Sequence, residues 1–456
     1  SDFSFTPVVF LSILLLIILA SKNELFREQL IYSWEWRTID GIIIGALSLL
    51  YIVIGVYNLP DFPHRRHHFI SFFLFPSEKI WFSGLLAIIA VSFMIVLFVH
   101  FLQGEKKQIG EAFNEEKALK ILTTYGGNSD SQLIFLKDKR MFAYEKDGEP
   151  TVLLQFACFN NKCIVMGDPS GKKEDFPEAI EAFIEETDRL CYLPVFYETS
   201  EEIVMILHEF GYDFIKMGEE AYVDLNSFTT SGKKMKGTRA VLNRIEREGF
   251  TFDVLQPPFS TEQMSTFKNI SDNWLGSRKE KGFSLGFFSE DYLQRAPIAV
   301  VKNTQEEIVA FATIMPTYTN NKVGTIDLMR YDSKKAPSGS MDFLFLHLFA
   351  YMKEEHIQWF NLGMAPLSNV GTSRKSFLQE RIAYLVYEFG SHFYSFHGLR
   401  EYKSKYATNW VSRYTLYSRD SWIAYVMIAL LIIDNAPVEQ TQGRISGLKK
   451  WIRRKY

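Results

Sequence analysis

Thr325-Ile-Asp-Leu-Met-Arg330 ends an apolar strand with an acid and a base. Strand alternation predicts Asp327 and Met329 on one face and Leu328 and Arg330 on the other. Charges at a strand end are costly to bury unpaired, so a structural ion pair is one reading of Asp327 and Arg330. The next residues favour chemistry. A small-residue loop, Ala336-Pro-Ser-Gly-Ser340, opens a predicted helix Met341 to Glu355. Strand, loop and helix N-terminus together form a place where backbone amides meet phosphate or carboxylate.

Two basic segments accompany it. A predicted helix Lys233 to Glu248 carries Lys236, Arg239, Asn243 and Arg247 at three- and four-residue steps, with Arg244 adjacent. That is one basic face, either solvated or tracking phosphates. Gly398-Leu-Arg-Glu-Tyr-Lys-Ser-Lys-Tyr406 gathers Arg400, Lys403 and Lys405 with two tyrosines, a composition suited to an anionic headgroup or an RNA end. Other chemistries lack their residues. Gly167-Asp-Pro-Ser-Gly-Lys172 lacks the Walker spacing and reads as a turn. There is no Gly-rich dinucleotide loop and no segment of the kind that grips coenzyme A. No Ser-His-Asp order, nucleophilic cysteine or paired-carboxylate motif appears, and His347 reads as a core or helix-surface residue. No metal and no cofactor is expected. The three cysteines, Cys158, Cys163 and Cys191, form no disulfide framework and point to a reducing compartment.

These segments need a scaffold, and the order of elements supplies one. Three apolar runs come first, Phe5 to Ser21, Ile39 to Leu59 and Ile80 to Leu102, each read as a transmembrane helix. Gly41 and Gly45 allow close approach of another helix, a route to a homo-oligomer through the membrane region. His64-Arg65-Arg66-His67-His68 reads as a basic interfacial loop, and Lys106 and Lys107 place the following part in the cytoplasm. The chain opens at Ser1 rather than methionine, so upstream sequence is expected. Net charge is −3, which leaves any polyanion to local basic patches. After Gly104 the pattern is strands (Gln132 to Leu136 first among them), helix, strand, helix, strand, and then the same order again. The reading is an α/β fold of two acetyltransferase-sized units in tandem: residues 1–104 membrane region, 105–230 first unit, 231–456 second unit with a C-terminal extension.

Taken together, the segments resemble the family of the bacterial multiple peptide resistance factor, the phosphatidylglycerol lysyltransferases. The matching stretches are Gly167-Asp-Pro, Lys236 through Arg239 to Asn243-Arg244 and Gly249, and Glu280-Lys-Gly-Phe-Ser-Leu-Gly286. Asp327-Leu-Met-Arg330, Met341-Asp342, Phe360 through Ser368 and Gly398 through Lys405 complete them. One stretch departs: Tyr406-Ala-Thr-Asn-Trp410 has tyrosine where the family has phenylalanine and Thr408 where it has proline. The resemblance implies tandem GNAT-like units fused to a membrane domain. It also implies transfer of an amino acid, most often lysine, from aminoacyl-tRNA to the glycerol hydroxyl of phosphatidylglycerol. The less anionic lipid repels cationic antimicrobial peptides, in a bacterial cell membrane with the catalytic part cytoplasmic. The upstream membrane half flips the product, so this chain is expected to hold synthase rather than complete flippase. By that resemblance Asp327 would be base or orienter of the hydroxyl, and Arg330 would hold a phosphate or oxyanion. Glu280 would meet the cationic amino acid, the basic helix the tRNA, and Arg400, Lys403 and Lys405 the lipid phosphodiester or the terminal adenosine. A peptidoglycan-branching aminoacyl-tRNA transferase, a membrane-bound N-acyltransferase and a receptor with a degenerate sensing domain are the rival readings.

Overall fold

The computed structural model describes residues 6–20, 31, 33–57, 78–102, 107–320, 322–367, 370–371, 375–378, 380–381, 396–419 and 421–436. The chain divides into two compact units, Ser1–Ile109 with Glu186–Tyr192, and Gly110–Glu185 with Leu193–Tyr456. In the first, helices α1 (Thr6–Ala20), α2 (Trp34–Tyr57) and α3 (Glu78–Phe101) pack around Phe10, Tyr51 and Ile88. Large apolar side chains face outward: Leu49, Phe93 and Phe98 are each more than 60% exposed, while Ser92 is buried and its hydroxyl donates to the Ile88 carbonyl. Apolar groups outside and polar groups inside are what a lipid surrounding selects. Trp34–Ile54 and Phe82–Phe101 are long and apolar enough to span a membrane. The 15 residues of α1 rise only about 22 Å, short of a hydrocarbon core of roughly 30 Å. Two of the three expected spans thus meet the length requirement among the described residues. Cβ atoms added at Gly41 and Gly45 would touch nothing within 4 Å. The His64 to His68 loop lies outside the described residues.

The second unit is built on one mixed sheet. Its first half supplies α4 (Glu115–Tyr125), β1 (Arg140–Lys146), β2 (Glu149–Phe159), β3 (Lys162–Met166), β4 (Ser170–Gly171), α5 (Phe176–Arg189), β5 (Leu193–Thr199), α6 (Glu201–Glu209) and β6 (Tyr212–Asp224). Its second half supplies α7 (Lys236–Arg247), β7 (Thr251–Leu255), α8 (Thr261–Leu275), α9 (Glu290–Leu293), β8 (Ile298–Lys302), β9 (Ile308–Met315), β10 (Val323–Tyr331), α10 (Ser340–Glu354) and β11 (Trp359–Pro366). Then come α11 (Phe396–Ser404), β12 (Asn409–Ser418) and α12 (Ile423–Asp434). The strand order is β1-β2-β3-β5-β12-β6-β11-β10-β9-β8-β7, with β4 beside β2. Only β3–β5 and β10–β11 are parallel, and each pair is joined by a crossover helix, α5 or α10. Each half therefore repeats one order, an antiparallel meander followed by a crossover to a parallel strand. Their last strands are exchanged: β12 lies beside β5, and β6 lies beside β11.

Two local expectations change. Gln132 to Leu136 belongs to a buried 3-10 helix, Ser131–Leu136, not a strand. Asn128 bends the chain just before it, its side-chain oxygen accepting from the Asp130 amide at 2.9 Å. Cys158 and Cys163 face each other across β2 and β3 and are disulfide-bonded, whereas no cross-link was expected. Helix α12, apolar on every side, is sunk among Ile164, Val195, Ile215 and Met217, as an all-apolar helix must be when it is not in lipid.

Candidate active site

Asp327 sits where β10 is irregular. Ile326 pairs with Ile314 and Met329 with Ala312, so three steps on β10 match two on β9. A bulge of this kind breaks side-chain alternation. Leu328 packs in the core that contains Tyr292, Met329 in the opposite core with α10, and the Asp327 carboxylate turns to Tyr292. The expected face shared by Asp327 and Met329 is therefore lost to the bulge. Asp327 and Arg330 do not pair either. The Asp327 carboxylate accepts from the Gly286 amide at 2.8 Å and the Tyr292 hydroxyl at 3.1 Å. Arg330 stacks on Trp274 of α8, 3.9 Å from the ring centroid, and pairs with Glu280 at 3.0 Å.

Those contacts belong to one loop. Glu280-Lys-Gly-Phe-Ser-Leu-Gly286 is tied down by carboxylates from separate parts of the chain. Asp138 accepts from the Phe283 amide at 2.7 Å, Asp434 from the Ser284 hydroxyl at 2.8 Å, and Asp327 from Gly286. Glu280 clamps the loop's start to Arg330. Gly286 is dictated by space, since a Cβ there would lie 1.6 Å from Asp327 Oδ2.

The loop walls a cavity of about 390 Å³ lined from both halves of the unit. Among the described residues five carboxylates reach it, Asp130, Glu198, Glu220, Asp327 and Asp434, against two lysines, Lys281 and Lys403. Ile326, Phe345, Leu362, Leu399 and Leu431 add apolar wall. Such a mixture, apolar with a few convergent charges, is typical of a ligand site. Burial dominates its electrostatics. It raises Asp327, with the Gly286 and Tyr292 donors pulling back, and it raises Asp434 to about 6. Asp130 rises to about 7, from burial first and the Glu220 charge second. Glu198 is pushed well above the carboxylate range, by burial and then by Asp130. Burial lowers Lys403 to about 8, and its ammonium donates to the Met364 carbonyl at 2.8 Å.

Of the residues singled out by sequence, Asp327 and Lys403 line the cavity. Glu280, expected at the cationic amino acid, is instead engaged by Arg330, and Arg330 faces Trp274. Arg400 and Lys405 also leave the expected group: Arg400 pairs with Glu219 and stacks on Trp410, while Lys405 sits 3.6 Å from Asp342 and over Tyr402. On α7, Lys236 is exposed, Arg239 donates to the carbonyls of Thr230 and Gly232, and Arg244 donates to that of Ser338. The Ala336 to Ser340 loop packs against α7 at Gly339. Gly339 leaves no room for a Cβ, which would stand 2.4 Å from Val241 of α7. His347 is half-buried on the helix, stacked on Phe252 and close to Phe343. Thr408 explains its own departure from proline: its amide donates to the Tyr222 carbonyl at 2.9 Å, a bond proline lacks.

Sequence reasoning missed Asp130, Glu198, Glu220, Asp434 and Tyr292. Asp434 left a trace, a lone charge closing the run Ile428-Ala-Leu-Leu-Ile-Ile433. Asp130 and Glu198 meet where β3 pairs with β5, at Gly167, and Glu220 reaches the cavity from β6 on the far side of β12.

Residues 119–417 match the family described as "Phosphatidylglycerol lysyltransferase, C-terminal". The chain is 41% identical over 426 residues to the phosphatidylglycerol lysyltransferase of Bacillus subtilis (strain 168), covering 92% of this chain and 48% of that one. It is 35% identical over 423 residues to that of Staphylococcus aureus (strain COL), again covering 92% and 48%. The chain thus spans about half the length of these curated relatives. Among solved structures, that of L-PGS from Bacillus licheniformis is similar at 48% identity and TM-score 0.64, covering 72% of this chain and 99% of that one. The C-terminal domain of a putative lysylphosphatidylglycerol synthetase from Agrobacterium fabrum is similar at 32% identity and TM-score 0.62, covering 70% and 96%.

Proposed function

The chain belongs to the phosphatidylglycerol lysyltransferase C-terminal family, and from that premise we propose that it moves a lysyl group from lysyl-tRNA to the glycerol hydroxyl of phosphatidylglycerol. The observation that carries this reading is the acid-rich cavity with Asp327 in its wall. A lysyl ester brings two ammonium groups, and the carboxylates that reach the cavity, five against two lysines among the described residues, make a receptor for them. The product lipid has lost negative charge and resists cationic peptides. The setting would be a bacterial cell membrane, with the helical unit in the bilayer and the catalytic unit on the cytoplasmic side. Gly41 and Gly45 offer a face for self-association there.

The reaction exchanges one ester for another. The lipid hydroxyl attacks the aminoacyl carbonyl, its proton leaves, and the ribose hydroxyl departs with a proton. Because the donor ester is already activated, positioning and a proton route supply most of the catalysis. Asp327 takes or orients the hydroxyl proton. Its raised pKa makes it a better base than a solvated aspartate, and the Gly286 and Tyr292 donors fix its direction. Lys403, one of two lysines in the wall among the described residues, offers an ammonium for the oxyanion or the lipid phosphate. Arg330 works at one remove, holding the loop through Glu280, and Arg400 and Lys405 brace α11 in the same way.

Charged tRNA and labelled phosphatidylglycerol, incubated with the chain, should yield aminoacyl lipid. RNase should abolish the product, and acetyl-CoA should not replace the tRNA. Labelling that survives RNase would end the transferase reading.

The exposed face of α7 is the proposed tRNA contact. Arg239 and Arg244 each spend part of the guanidinium on backbone carbonyls, and a guanidinium has five donors to share. Replacing Lys236, Arg239 and Arg244 together with alanine should raise KM for tRNA and flatten its salt dependence, with lipid dependence unchanged. A folded triple variant with wild-type tRNA kinetics would return this face to solvent.

A further inference from the structure

The two halves carry the same irregularity at the same place. In β5, Phe196 faces Leu416 and Thr199 faces Tyr414 of β12, three steps against two. In β11, Asn361 faces Tyr222 and Met364 faces Glu220 of β6, again three against two. Each bulge holds one left-handed residue, Glu198 at φ 62° and Gly363 at φ 80°, and both line the cavity. Glycine suits that conformation because it has no Cβ; a glutamate there is strained. In the second half the strain is absent. In the first half it persists, and strain of this kind survives where the side chain it positions has a use.

The other cavity carboxylates show what that use is. Glu220 is held by Arg413 at 2.8 Å, Asp434 by Ser284 and Asp327 by Gly286 and Tyr292. Glu198 and Asp130 form no ion pair among the described residues, and the side-chain hydrogen bond of Glu198 is to its neighbour Tyr197. Two like charges in one buried site ionise together only when a cation joins them. The cations around them are engaged elsewhere: Arg413 and Lys139, which act on Asp130, pair with Glu220 and Asp138, and Lys403 donates to Met364.

We propose that Glu198, seconded by Asp130, is the specificity-determining residue of the cavity, selecting a donor whose side chain ends in an ammonium group. This rests on the reading that the cavity holds the aminoacyl group. It replaces Glu280, the residue sequence favoured for that role, by one the fold leaves uncommitted. It also predicts an unusual combination: the side chain that confers selectivity is the one that costs the fold.

Two variants test it in the full chain. Glu198→Gln removes the charge, and Glu198→Gly removes both charge and strain. The probes are L-lysine methyl ester and L-norleucine methyl ester, which differ in the terminal ammonium, with binding read by calorimetry and turnover read with lysyl-tRNA. Wild-type protein should prefer the lysine ester. Both variants should lose that preference and lower kcat/KM for lysyl-tRNA at least about tenfold, as expected for an unmatched buried charge. Glu198→Gly should melt no lower than wild type, and about 2 °C higher if the strain is fully relieved. Preference retained in both variants would overturn the proposal. So would equal loss of affinity for both esters, which would mark Glu198 as a structural counter-charge to Lys403. Wild-type protein that prefers the lysine ester through Glu198 yet transfers nothing from lysyl-tRNA would strike the transferase reading and leave this one standing.

Discussion

Asp327→Asn is expected to lower turnover by about two orders of magnitude or more while the melting temperature stays within a few degrees of wild type. The fold should survive because every hydrogen bond at this position can be kept. An asparagine Oδ1 still accepts from the Gly286 amide. Its amide group then faces the Tyr292 hydroxyl, which can turn and accept, since a phenol both donates and accepts. Electrostatics point the same way. Burial raises the Asp327 pKa, so its ionisation weakens the fold as pH climbs from the ordinary carboxylate value through the raised one. Asparagine carries no such cost at neutral pH. Chemistry should fail because the amide cannot take a proton. The pH–rate profile gives the sharper readout. Wild-type activity should rise with pH through the raised Asp327 pKa, and that acid limb should vanish from the residual activity of the variant. A stable variant with near-normal turnover would end the proposed role.

The elements that hold Asp327 were largely legible in the sequence, because helices such as α7 and α10 and strands such as β8 to β11 carry their own periodicity. What stayed hidden is non-local. The bulge in β10 depends on register against β9, so alternation alone assigned Asp327 and Met329 to one face. The exchange of β6 and β12 between the halves is a matter of pairing, and no window of sequence reports it. The cavity's acids come from separate elements, so no single window of sequence groups them. Glu198 and Glu220 look like surface glutamates until β12 and β11 are laid beside their strands. Conversely, Arg400 among its tyrosines and Arg330 at a strand end looked like ligand contacts because a guanidinium reads the same in sequence whether it grips a substrate or a tryptophan. Trp410 and Trp274 are what they grip.

Gly286→Ala should cost nearly as much activity as loss of Asp327 itself, through geometry alone. Gly286 does not take a left-handed φ, so the added methyl acts by volume. Its Cβ would fall 1.6 Å from Asp327 Oδ2 and 2.2 Å from Cγ, well inside contact distance, and a short aspartate in a bulged strand has little freedom to retreat. Either the carboxylate swings away or the loop lifts. Lifting the loop strains its ties to Asp138 and Asp434, which hold the Phe283 amide and the Ser284 hydroxyl. Overpacking of this kind costs about 1–3 kcal/mol, and a misplacement near 1 Å at a reacting group costs roughly a hundredfold in rate. Turnover in Gly286→Ala should therefore drop by about two orders of magnitude, with a lower melting temperature that Asp327→Asn does not show. The double variant Gly286→Ala with Asp327→Ala supplies the control. Removing the carboxylate removes the clash, so the two stability losses should be less than additive, with a coupling of about 1 kcal/mol or more between groups in direct contact. Additive losses, or a Gly286→Ala protein that turns over normally, would mean that the loop does not hold Asp327 for catalysis.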